Sequence, residues 1–182
     1  NIKISHETPM CLLEDSQRFN DYDYCLPHLL DEEPKYLEYF QKAKEQGRYI
    51  IMDNSLHELG EAYTHERLIH WVNELKPNEF IVPDVWEDSG QSIHNAAIWQ
   101  IYDFPIGVEK VAVVQATTLE QAATCARRYK ELGYGKAGSN PGSYGGVKIL
   151  KDILKLHNYA QGGRIGYQTG KRVGDTPEVL GP

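Results

Sequence analysis

Arg48-Tyr49-Ile50-Ile51-Met52-Asp53-Asn54-Ser55 is an apolar run that stops on a carboxylate. The arrangement returns in Glu79-Phe80-Ile81-Val82-Pro83-Asp84. It returns again in Lys110-Val111-Ala112-Val113-Val114-Gln115, where an amide takes the acid's place. A helical pattern follows each run. Parallel α/β enzymes collect their polar working groups at the carboxyl ends of buried strands, so the three runs read as such strands.

The segments between them carry helix punctuation. Pro34 suits a first helical position, Tyr36, Leu37, Phe40 and Ala43 share one face, and Gly47 stops it. Thr64 is a candidate N-cap, although Arg67 stands where a capping box would have Glu. Leu68, Ile69, Val72 and Leu75 form the next face, and Pro77 ends it. Ser89 to Tyr102 reads as a helix. Thr118 caps another, with a core face of Leu119, Ala122, Ala123, Ala126 and Tyr129 and an end at Gly133. Short strands are expected at Ile2–Ile4 and within Tyr22–Leu29, the second weakened by Pro27. Five glycines from Gly135 to Gly146 read as loop, Val147–Leu156 as a helix, and the last 22 residues as no clear element.

This βαβαβα rhythm predicts a parallel sheet, and right-handed crossovers leave a (β/α) barrel or an open doubly wound sheet. No GxGxxG or GxxxxGK[ST] follows the first strand, which favours the barrel. A full barrel takes roughly 200 residues or more. The expectation is therefore one α/β domain over 1–182, a TIM barrel that is short or irregular at its C-terminal end, or else one lacking pieces of a longer chain.

Charged residues make up 25% and apolar residues 41% of the 182, as in a globular chain. No stretch approaches the ~18–20 apolar residues of a membrane span, and the first residues do not resemble a signal peptide. Three cysteines, Cys11, Cys25 and Cys125, without a CxxC pair point to reduced thiols in a cytoplasm rather than a zinc site. Charge is uneven. Through Glu120, 9 Lys/Arg face 22 Asp/Glu; from Gln121 onward, 10 face 4. A basic late region that includes Arg127, Arg128, Lys171 and Arg172 suits a polyanion such as nucleic acid, or simply solvated helix faces.

Asp53 at a strand end suits general acid/base or nucleophilic work, and otherwise caps a turn. Asp84 has the same placement. Two carboxylates on neighbouring strands push their pKa values apart, or grip a metal. Glu87 and Asp88 read as acids at a helix N-terminus. Gln115 can donate to and accept from the edge of a planar heterocycle. His6, His28 and His57 lie near strand ends without HxH or HExxH spacing, so no metal is expected. Trp86 and Tyr24 suit base stacking or, more commonly, core packing.

Taken together, Ile50-Ile51-Met52-Asp53-Asn54-Ser55-Leu56-His57-Glu58-Leu59-Gly60, Val82-Pro83-Asp84 and Val113-Val114-Gln115-Ala116 resemble the ordered motifs of the tRNA-guanine transglycosylases. The Asp-Asn-Ser and Val-Pro-Asp forms look most like divergent bacteriophage members that insert 7-deazaguanines into DNA. The resemblance covers about residues 1–137. It implies a TIM barrel that replaces guanine with a 7-deazaguanine in DNA or tRNA through a covalent glycosyl-enzyme, without a cofactor. A homodimer is compatible with it, as is a host cytoplasm if the chain is phage-encoded.

By motif match Asp53 is the general acid/base, Asp84 binds the N–H groups of the heterocycle, Gln115 its carbonyl edge, and Asn54 and Ser55 the base or ribose. Ala116 departs from the family's Gly, and the family's Cys-rich zinc site is absent. The nucleophilic Asp belongs on a late strand. Asp152 sits in a helix-like Lys-Asp-Ile-Leu-Lys run; Asp175, in Val173-Gly174-Asp175-Thr176, is carried forward as the catalytic candidate. Rival readings are a non-catalytic barrel that binds a nucleobase or protein, and a metal-dependent barrel hydrolase.

Overall fold

A computed structural model describes residues 3–139. A 3-10 turn, Met10–Leu12, and α1 (Leu13–Ser16) lead into β1 (Asp23–Cys25). Then follow α2 (Pro27–Glu32), α3 (Pro34–Glu45), β2 (Ile50–Met52), α4 (Leu56–Leu59) and α5 (His65–Leu75). The rest is β3 (Glu79–Ile81), α6 (Ser89–Trp99), β4 (Glu109–Val114), α7 (Leu119–Glu131) and β5 (Lys136–Ser139). The five strands form one all-parallel sheet in the order β1-β2-β3-β4-β5. The fold is thus α/β, as the rhythm of the sequence predicts. No helix among the described residues is long and apolar enough to cross a membrane.

Strand alternation divides the sheet into two faces. Ile50, Met52, Phe80, Val82, Ala112 and Val114 belong to the large core with helix residues such as Phe40, Leu68, Val72, Trp99 and Ala126. Ile81, Val111 and Val113 form a separate apolar cluster on the other face. Asp53 and Gln115, one residue beyond β2 and β4, continue that second face. At its opposite edge lies a polar layer: Lys136 Nζ is 2.7 Å from both Glu79 and Glu109, and the Tyr49 hydroxyl donates to Glu79.

Local chemistry explains the element ends. Pro27 and Pro34 open α2 and α3. Gly47 and Gly133 take the positive φ that follows a helix. Thr118 and Gln121 form a reciprocal capping box at α7, and Tyr129 of α7 donates to the Val113 carbonyl at 2.9 Å, seating the helix on β4. Thr118→Ala is expected to cost about 1 kcal/mol, read as a shift in the urea midpoint at constant slope.

Four expectations are corrected. In the described part of Ile2–Ile4 there is no strand; Ile4 instead exchanges hydrogen bonds with Asp21, its N–H to the side chain and its carbonyl from the backbone N–H. Tyr22–Leu29 is a strand only over Asp23–Cys25, because Pro27 starts a helix. Leu119 is 51% exposed, since it lies in the first turn of α7, off the buried stripe of Ala122, Cys125, Ala126 and Tyr129. The glycine-rich stretch begins with a strand rather than a loop. Gly138 pairs with Val113, and a Cβ there would meet a Val113 methyl at 3.3 Å, so glycine lets β5 close on β4. Val147–Leu156 lies outside the described residues.

Candidate functional site

The polar groups at the ends of β2, β3 and β4 converge. Asp84 is 4% exposed, and each of its carboxylate oxygens accepts from an amide. Asn54 Nδ2 donates to Oδ1 and Gln115 Nε2 donates to Oδ2, both at 2.6 Å. The amides are themselves oriented. Asn54 also donates to the Val82 carbonyl at 3.0 Å and accepts the Leu56 N–H at 3.0 Å. Gln115 accepts the Glu87 N–H at 3.1 Å, with Glu87 held at φ 54°. Asp53 is buried beside them, its N–H on the Cys25 carbonyl at 2.8 Å, which extends the β1–β2 ladder.

Burial pushes the Asp84 carboxyl up to about 6, and the nearby Asp53 charge pushes in the same direction, while the Gln115 and Asn54 hydrogen bonds pull against them. When Asp84 is ionised, its oxygens keep lone pairs beyond the two amide bonds. The raised value also fixes a sign. The stability that Asp84 contributes is full below the unfolded carboxylate range near 4 and is lost as pH rises through about 6. The melting temperature of the wild type minus that of Asp84→Asn is expected to fall between pH 4 and 6 and to level off above. A difference that stays flat across this window would contradict the burial argument.

His28 and Ser55 form a second pair, with His28 Nδ1 2.7 Å from Ser55 Oγ and both side chains buried. Sequence reasoning considered His28 only as a metal ligand. Its partner becomes visible only once β1 and β2 are paired, which brings the start of α2 beside the start of α4. Trp86, expected more often in the core, is 42% exposed, with its ring 5.9 Å from that of His57. Asp88 is the N-cap of α6 and accepts the Gln91 N–H at 2.9 Å, the helix-terminus role read for it.

Asp53, Asn54, Ser55, Asp84 and Gln115 are thus brought to one edge of the sheet. Arg127 and Arg128 are exposed in the later turns of α7 and bond to Thr124 and Glu131. A helix following a strand in a βα unit runs back along the sheet, so these two lie toward the other edge. Asp152, Asp175, Lys171 and Arg172 lie outside the described residues. Compared with known proteins, the chain matches no protein-family model and no curated protein.

Proposed function

We propose that this chain exchanges bases in nucleic acid, replacing guanine in DNA or tRNA with a 7-deazaguanine. The observation that carries the reading is the Asp84 carboxylate, gripped by one amide from each neighbouring strand end, with Asp53 beside it. In this reading the free lone pairs of Asp84 accept adjacent N–H groups of the purine edge, and Gln115 lies along the same edge. Asn54 sets the angle of Asp84, since both of its N–H groups are taken up. A late carboxylate, Asp175, attacks C1′. The C1′–N9 bond breaks, its electron pair leaves with guanine, and Asp53, entering the step in its acid form, supplies the proton. Asp53 then takes a proton from the incoming base, which attacks C1′ and frees the carboxylate.

The described strands belong, in this proposal, to the wall of a (β/α) barrel. Sequential order without reversal supports that over a doubly wound sheet, which turns back at a switch point. Phosphate contacts from Lys171 and Arg172, a homodimer and a cytoplasmic site of action are parts of the same proposal. The near-complete burial of the cluster favours one rival, a non-catalytic barrel in which Asp84 and its amides are structural. The readings separate on a denaturing gel after incubation with DNA or tRNA in the absence of free base. Base exchange leaves a protein–nucleic acid adduct that disappears when guanine is added; the rival leaves no adduct with either polymer.

A further inference from the structure

We propose that His28 is a positioning residue that aims the Ser55 hydroxyl at the substrate nucleotide. The inference rests on the base-exchange reading and adds to it a residue from the first turn of α2. Three observations carry it.

Ser55 sits at φ 58°, ψ 22°, left-handed backbone that strains a side chain with a Cβ and does not strain glycine. A position that tolerates such strain at a strand end has a use for the side chain. Ser55 also occupies the N-cap of α4, where a serine hydroxyl ordinarily accepts a backbone N–H of the first turn. It makes no such bond. The hydroxyl instead meets His28 Nδ1 at 2.7 Å, with Ser55 itself fully buried.

The pairing follows from register. Cys25 lies opposite Met52, so His28 and Ser55 each stand three residues past paired positions on adjacent strands. Ser55 is two residues from Asp53 and next to Asn54, whose amide holds Asp84. A serine hydroxyl has one donor and two acceptor sites. With the imidazole on one of them, the remaining capacity points in a fixed direction, whichever tautomer His28 adopts. If the hydroxyl served only the fold, glycine would replace it with little loss, because relief of strain offsets the lost hydrogen bond.

The test measures guanine exchange kinetics and melting temperature for Ser55→Gly, Ser55→Ala, His28→Leu and His28→Asn; an Asn amide can stand where Nδ1 stands. The expected result is kcat at least tenfold lower in both Ser55 variants, with Ser55→Gly melting at or near the wild-type temperature. His28→Leu is expected to lose as much, His28→Asn to return to within about threefold of wild type, and His28→Leu to add little on top of Ser55→Gly. Wild-type kcat in either folded Ser55 variant, or losses that add independently in the double variant, would overturn the role of His28 while leaving base exchange intact. A wild-type protein that exchanges no guanine would overturn both.

Discussion

Asp53→Asn is expected to lower base exchange by about a thousandfold, within the range that a positioned general acid/base contributes. The fold should survive. The substitution keeps the side chain's shape, and the backbone N–H of residue 53 keeps its bond to the Cys25 carbonyl. A second consequence gives an independent readout. Burial is the main cause of the raised Asp84 value, but the Asp53 charge adds to it. Removing that charge is expected to bring the Asp84 titration below about 6, visible in the carboxyl carbon shift of labelled protein. An Asp53→Asn protein that exchanges bases at the wild-type rate would remove Asp53 from the chemistry. An unmoved Asp84 titration would show that the two carboxylates do not feel each other.

Trp99→Ala is expected to have the largest effect on stability, about 3–5 kcal/mol. Trp99 ends α6 and has no exposed surface. Its ring stacks on Phe104 with centroids 6.0 Å apart, lies 5.8 Å from Phe80 of β3, and meets Tyr102 and His65 at 5.6 and 5.2 Å. Removing it opens a cavity where α6 packs on the sheet, and rigid neighbours fill such a cavity poorly. For a chain of this size the melting temperature should fall by roughly 10 °C. Ile106→Ser, at a fully exposed position a few residues on, is the control and should stay within about 0.5 kcal/mol. A small loss at Trp99 would mean that the aromatic cluster is not the anchor of α6.

The central strands were legible because Ile50–Met52, Phe80–Val82 and Val111–Val114 are apolar on both faces, a pattern that short buried parallel strands share. The helices were legible where Pro, Thr and Gly punctuate them. What escaped was decided by tertiary contact. Lys136-Ala137-Gly138-Ser139 has poor strand propensity and forms β5 because Gly138 fits against Val113. At the site, the strand-end positions of Asp53, Asp84 and Gln115 could be read from three runs. The grip of Asn54 and Gln115 on Asp84 could not, since it joins side chains about thirty residues apart. His28 was hidden for the same reason, its partner Ser55 lying 27 residues away on the next strand's turn.

The most direct measurement is incubation of the protein with duplex DNA, and separately with tRNA, in the presence of radiolabelled guanine, following label into polymer. The account predicts incorporation into one of the two polymers by the wild type and about a thousandfold less by Asp53→Asn. Folded wild-type protein that incorporates no label into either polymer would contradict it.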